Sequence, residues 1–418
     1  MTPASRAAGL SSAQRPVRDS TAARLSLSDG GNFRSRLRGK WGTTYAAAIT
    51  ALLYGAVIAA RITAHQFDAS FFVTAGYAFC QPAMVPDGLR VDTVSGYDGQ
   101  FYYRIALDPW TTARTVHGIT IDYPPYREQR ILYPLLARAL ALARPQWVPW
   151  TMILVSYLAI CALGFTSALF ARAFGMHPLE GLVIPFYPGV LLALDRDLPD
   201  ALSISLMLAA VYLLHSRRLL LGASMLALAV LARETVVLLA GALFAESLWR
   251  TLRRRTSWTE SACLLIPLAS FATWQLWIFA AWRRLGIFGQ SGILSEVPFK
   301  ALALLIVQAL ELAVRFHPLL LADLTVVVGT TALAATALYR SAIERGVKVA
   351  WICYLVLACA LSGAVWVEDW AFMRATAELL VLSLIILISA RQRASLRIAG
   401  LAMFAMWTVL AVRSVLKH

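Results

Sequence analysis

From Ser95 to Tyr103 the chain reads Ser-Gly-Tyr-Asp-Gly-Gln-Phe-Tyr-Tyr, which sets one carboxylate, Asp98, between two glycines and beside a run of aromatics. A carboxylate on so tight a backbone can act as a general base toward any hydroxyl held within hydrogen-bond reach. Tyr97, Tyr102 and Tyr103, with Gln100 among them, offer a platform for a sugar ring or for the lipid–water boundary. The same letters also spell an Asp-Gly turn with interfacial tyrosines.

Three further polar clusters interrupt an otherwise apolar chain. Asp195-Arg196-Asp197-Leu198-Pro199-Asp200 contains an Asp-x-Asp pair, Asp195 and Asp197, of the type that suits Mg²⁺ or Mn²⁺. Read plainly, it is a solvated acidic turn in which Arg196 offsets part of the charge, and that reading is preferred to a metal site. A part for Asp195, Asp197 and Asp200 in positioning a substrate stays open. Ala232-Arg233-Glu234-Thr235 either neutralises itself or presents a guanidinium fork to a phosphate. Glu368-Asp369-Trp370 precedes Arg374 and Glu378, which are four apart and could pair on one helix face. Arg374 entering a span from its end is equally a phosphate ligand. Tyr126-Arg127-Glu128-Gln129-Arg130 adds two cations that either snorkel to headgroups or hold a phosphate.

The elements that must carry these clusters follow from composition. The 418 residues are 59% hydrophobic and 15% charged, against roughly 45–50% and about 25% in soluble domains. One buried core cannot absorb that excess, so the apolar surface faces lipid. The net charge of +15 is concentrated in the first 40 residues, which hold eight basic side chains, and between apolar runs. That is the pattern of cytoplasmic loops, not of a nucleic-acid surface.

Residues 1–40 read as a disordered basic cytoplasmic tail and 41–64 as the first transmembrane helix. Residues 65–146, with seven acidic and seven basic side chains, form an external loop too polar to span. Within it Ile131, Leu132, Leu135, Leu136, Ala139 and Leu140 recur at helical spacing, as in an amphipathic helix on a membrane surface. Residues 147–282 hold spans at about 147–171, 180–194, 201–214, 219–231, 235–249 and 259–282. Residues 283–316 read as an external loop and surface helix. Residues 317–418 carry spans at about 318–339, 349–366, 375–390 and 398–413. The expected fold is an all-α integral membrane protein with about eleven transmembrane helices. The basic turns at Arg172, Arg217–Arg218 and Arg250–Arg255 are cytoplasmic by the positive-inside rule. That choice puts Asp98, Asp195–Asp200, Arg233 and Arg374 on the external face together.

On the segments Gly96–Tyr103 and Arg130-Ile-Leu-Tyr-Pro134, the chain resembles the GT-C superfamily of membrane glycosyltransferases, closest to bacterial membrane proteins of cell-surface glycopolymer formation. The resemblance implies a polyprenyl-phosphate-linked sugar as donor, a glycan or glycolipid acceptor, and Asp98 as general base in an inverting transfer. It makes Arg127, Arg130, Arg233 and Arg374 candidate phosphate ligands. Glu234, Tyr97, Gln100, Tyr102 and Tyr103 become candidate substrate contacts. No cofactor is required, a divalent cation being the minor alternative.

The implied location is a bacterial inner membrane with the N-terminus in the cytoplasm, and membrane lipid as a partner. Two rivals belong to other classes. A transporter or flippase of lipid-linked glycan would show ionisable residues at mid-membrane and repeated halves. A non-catalytic assembly subunit would not need Asp98 to ionise. The five cysteines form no CxxC or zinc spacing, and the six histidines, among them His65, His117 and His317, form no metal motif.

Overall fold

The computed structural model describes residues 28–93, 96–288, 318–367 and 369–416, and the single positions 294, 297, 300 and 303. Ser95, Glu368, His317 and most of the expected loop and surface helix at 283–316 lie outside the described residues, as does the question of whether 301–316 spans. The chain divides into Met1–Trp41 and Gly42–His418.

Helix α1 covers Ser28–Ala64, so helix begins inside the stretch read as a disordered tail. Next come α2 (Gly99–Leu107), α3 (Pro124–Glu128) and α4 (Leu132–Leu140), all in the first loop. The bundle continues with α5 (Val148–Ala173), α6 (Pro188–Asp195), α7 (Asp200–His215), α8 (Leu219–Ala232), α9 (Val237–Leu252) and α10 (Trp258–Trp282). Beyond the undescribed stretch lie α11 (Pro318–Ala337), α12 (Arg345–Cys359), α13 (Gly363–Val367), α14 (Asp369–Ala375), α15 (Ala377–Ser389) and α16 (Arg393–Leu416).

Among the described residues five helical stretches are long and apolar enough to cross a membrane: Trp41–Ala64, Pro145–Ala173, Glu234–Leu252, Trp258–Trp282 and Arg393–Leu416. Shorter apolar helices at Asp200–His215, Leu219–Ala232, Leu321–Ala337 and Ala377–Ser389 pack among them. The expected span at 180–194 is broken: Pro178–Val183 is a 3-10 turn and α6 starts at Pro188. Proline removes a backbone donor and is best tolerated at a helix start, which sets the break. The expected span at 349–366 also ends early, at Cys359, and the chain resumes in the short helices α13 and α14.

Burial ranks the helices. In α5, 61% of the most apolar stretch is buried, against 22% in α10, so α5 is central and α10 peripheral. Every residue of α15 is buried, as expected of a helix that is hydrophobic all round. It packs on α11, α12 and α16.

Turn contacts sort the helix ends. His215 meets Glu344 at 2.8 Å and Arg250 meets Glu260 at 3.3 Å. Arg391 donates to the Phe174 carbonyl at 2.8 Å, and Ser341 meets Ser389 at 2.6 Å. Asp200 and Arg233 stand at the other ends of α7 and α8.

The first loop is a folded cap. Its strands β1 (Ala75–Gly76) and β2 (Val91–Asp92) pair in parallel, and β3 (Thr115–Val116) and β4 (Ile119–Thr120) form a small antiparallel hairpin. Helix α4 is shorter than the expected stripe and buries Tyr133, Pro134 and Ala137, leaving Leu136 and Leu140 exposed. Tyr133 donates to the Met152 carbonyl of α5 at 3.1 Å, which fastens the cap to the bundle.

Candidate functional site

Two glycines make the Asp98 turn possible. Gly96 has φ of +76°, and a Cβ there would meet the Gly76 nitrogen at 2.5 Å. A Cβ on Gly99 would collide with the Arg196 carbonyl and lie 2.6 Å from that of Val73. Only glycine lets the start of α2 press against the Asp195–Asp200 turn. Asp98 is the N-cap of α2, yet its side chain makes no capping bond. Both carboxylate oxygens are turned elsewhere.

Asp98 Oδ1 lies 2.9 Å from Arg127 Nη1, and Oδ2 lies 3.2 Å from Arg374 Nη1. One arginine comes from the cap and the other from α14, so the carboxylate bridges elements 247 positions apart in sequence, 374 minus 127. Arg127 is also held by Asp122 through Nε at 2.9 Å and Nη2 at 2.7 Å. Arg374 also donates to the Tyr97 hydroxyl at 3.1 Å and pairs with Asp200 at 3.3 Å. Asp200 then takes Arg233 at 2.5 Å, and Arg233 Nε lies 3.1 Å from Glu378. Asp122, Arg127, Asp98, Arg374, Asp200, Arg233 and Glu378 thus alternate in charge along one ladder.

Arg130 stands beside it. Its fork takes Glu234 bidentately at 2.8 and 2.7 Å, and donates to the hydroxyls of Tyr102 and Tyr126 at 2.8 and 2.7 Å. Its guanidinium lies 4.8 Å from the Tyr126 ring centroid. The ladder holds four carboxylates and three guanidiniums, while Arg130 and Glu234 cancel. Each cation of the ladder already has a carboxylate partner, so an anionic ligand here competes with a carboxylate. Asp98, 22% exposed, is the most open of these acids, against 15% for Asp122, 13% for Glu234 and 1% for Asp200 and Glu378.

Burial alone would raise the Asp98 pKa, but Arg127, Arg374 and Arg130 outweigh it and hold the carboxyl at about 2. Burial likewise pushes the Tyr102 phenol up to about 12, with Arg130 opposing. Arg127, which burial would lower, is raised instead by Asp98 and Asp122.

Several expectations change here. Arg374 and Glu378 do not pair across one helix face, because Thr376 breaks the helix between α14 and α15. Glu378 takes Arg233 and the Thr235 hydroxyl instead, the latter at 2.6 Å. Arg233 and Glu234 do not neutralise each other, because Arg233 has extended backbone at the α8 end and the two side chains diverge to Asp200 and Arg130.

The Asp195–Asp200 turn is not solvated, since Asp195, Asp197 and Asp200 are all buried. Asp195 is paired with Arg61 and Ser414 from opposite ends of the sequence, and also with Arg196 at 3.5 Å. Asp197 faces Tyr133 at 3.5 Å. Of the Asp-x-Asp pair only Asp195 is committed to arginine, Asp197 having a phenol as its neighbour, and among the described residues no group of three His, Cys, Asp or Glu side chains is arranged to hold a metal ion. Gln100 braces the cap, accepting from the Gly76 nitrogen at 3.1 Å and from Cys80 Sγ at 3.4 Å. Tyr103 is buried in the core. Neither Gln100 nor Tyr103 joins the ladder.

Asp122, on the ladder, and Arg61, the partner of Asp195, lie in stretches that carry no motif. Glu128 lies within the Tyr126–Arg130 segment, of which the sequence singles out only the two cations. Its backbone carbonyl accepts from Trp274 at 2.8 Å and its Oε2 from Trp282 at 2.7 Å, while Gln129 meets Gln275 at 2.9 Å. These bonds dock α3, with Arg127 and Arg130 at its end, onto α10. Burial raises the Glu128 pKa to about 7, against the opposing Trp282 bond and Arg104. A carboxyl with a raised folded-state pKa stabilises most below its unfolded value and loses that contribution as pH rises through about 7. Glu128→Gln keeps an acceptor for Trp282 and does not titrate. Melting temperatures of the two proteins in detergent should agree at pH 5, and the variant's should be higher at pH 8.

No family model, curated protein or solved structure matches the chain. What the fold defines is a predominantly helical membrane protein with a charged ladder at one end of its bundle.

Proposed function

We propose that the chain is a glycosyltransferase of the GT-C type, moving a sugar from a polyprenyl-phosphate donor to a glycan or glycolipid acceptor at the external face of a bacterial inner membrane. The observation that carries this reading is Asp98 held between Arg127 and Arg374 at 2.9 and 3.2 Å, in the most open part of the ladder. A donor phosphate has oxygens that suit the two Nη1 groups, one from each arginine, that now face Asp98. In exchanging for Asp98 on those two donors it releases the carboxylate next to the sugar it carries.

The chemistry then balances. The acceptor hydroxyl gives its proton to Asp98 while its oxygen attacks the anomeric carbon. The bond from that carbon to the phosphate oxygen breaks, and polyprenyl phosphate leaves with the electron pair. Arg127 and Arg374 meet the charge that grows on the leaving phosphate. Tyr97 and Tyr102 hold the neighbouring guanidiniums in place, their hydroxyls accepting from Arg374 and Arg130.

Exchange of partners has a signature in pH. The profile of kcat/KM reports the free enzyme and that of kcat the loaded one. With its pKa at about 2 before loading, Asp98 gives kcat/KM no acid limb of its own down to about pH 4. Once the arginines turn to phosphate, the acid limb of kcat should appear at higher pH. Superimposable profiles would count against the exchange. The reading as a whole is tested by Asp98→Asn, which should slow transfer by orders of magnitude in a membrane assay while the protein still inserts.

A further inference from the structure

At the end of the bundle away from Asp98, α1, the Pro178–Val183 turn and α16 enclose an open apolar groove of about 550 Å³. Ile49 and Leu53 form one wall, Val183 and Phe186 the floor, and Leu401 and Phe404 the other wall. The volume falls in the range of about 300–1,000 Å³ typical of small-molecule sites. Leu401 is 74% exposed, so the groove presents its apolar lining outward rather than to the core.

Its rim is basic. Arg393 and Arg397 occupy the first turns of α16 and are 60% and 73% exposed. Each reaches the single acid there, Glu180, only at 3.9 and 4.0 Å. Glu180 is also used by its own turn, accepting from the His177 nitrogen at 3.0 Å. The far end of α16 is fixed at the opposite face, where Ser414 contacts Arg61 and Asp195. At about 1.5 Å per residue the 17 positions from Arg397 to Ser414 span roughly 25 Å, so groove and ladder lie near opposite membrane faces.

We infer that this groove seats an acyl chain of an anionic glycerophospholipid, with the headgroup phosphate between Arg393 and Arg397. Apolar walls suit the chain, and two exposed guanidiniums over one shared carboxylate suit a phosphodiester. The basic tail of this chain, with eight cations in 40 residues, is a poor occupant of a rim that is itself basic. The inference is independent of the proposed glycosyl transfer.

The test is lipid retention by the full chain in detergent, followed by native mass spectrometry with phosphatidylglycerol, phosphatidylcholine of equal chain length, and the phosphatidylglycerol headgroup without chains. Phosphatidylglycerol should be retained several-fold over phosphatidylcholine. Removing both cations, as Arg393→Gln with Arg397→Gln, should erase that preference, with about a fivefold loss per arginine. Gly400→Trp, which projects toward Val183, should lower retention of both lipids, and Leu401→Trp at an exposed position does the same should the first variant fold poorly. Asp98→Asn should change nothing here. Equal retention of the two lipids, retention of the free headgroup as strong as that of the lipid, or full retention in both tryptophan variants would overturn the assignment.

Discussion

Asp98→Asn is expected to slow the proposed sugar transfer by about 10²- to 10⁴-fold, the usual contribution of a positioned general base, the role proposed for Asp98. The variant should fold. Arg127 keeps Asp122, and Arg374 keeps Asp200 and the Tyr97 hydroxyl, so neither guanidinium is stranded. The amide fills the same space and still accepts at one oxygen. KM should change less than kcat, because the lost interaction belongs to the transition state. Purified protein, lipid-extract donor and a stability measurement on the same sample check it: a large rate loss at nearly unchanged melting temperature is the expected pair of results.

Arg233→Met is expected to have the largest effect on stability, about 3–5 kcal/mol. Asp200 and Glu378 are each 1% exposed, and Arg233 is the shared partner that compensates both. Its Nη2 also donates to the Arg374 carbonyl at 2.9 Å, so the α14 turn loses a tether. The cost comes from burying unpaired charge rather than from losing attraction. Neutralising both acids together with it, in Arg233→Met/Asp200→Asn/Glu378→Gln, should therefore recover much of the loss. Thermal unfolding of the single and triple variants decides this. A triple variant no more stable than the single one would point to packing instead.

Much of the local structure was legible from residue order. The apolar runs near 201–214, 219–231 and 259–282 agree with α7, α8 and α10 to within a residue or two at each end. Their lengths and flanking charges are intrinsic to the sequence. Breaks caused by tertiary context were not legible. The run at 180–194 is apolar after Glu180, yet Pro185 and Pro188 interrupt it and Tyr54 donates to the Pro185 carbonyl. The run at 349–366 gives way at Ala360, where the chain turns to bring Arg374 toward Asp98.

Site residues follow the same division. Asp98, Arg127, Arg130, Asp200, Arg233, Glu234 and Arg374 stood out because charge next to apolar runs is costly and therefore conspicuous. Who pairs with whom did not stand out. Sequence neighbours Arg233 and Glu234 part company, and Arg374 prefers Asp98 and Asp200 to Glu378 four residues on. Partner choice rests on helix breaks at Arg233 and Thr376, which no periodicity announces. Asp195 shows the converse: its Asp-x-Asp setting resembles a metal site, but Arg61 and Ser414 arrive from more than 100 positions away on either side and occupy it.

The proposed glycosyl transfer is tested most directly by the surface glycan of a host whose only copy of this protein carries Asp98→Asn. Mass spectrometry should show the glycan lacking the same sugar as in the deletion strain, with the polyprenyl-phosphate donor accumulating although the variant is inserted at normal level. A glycan identical to the parent's, made with the inserted variant in place, would contradict the account.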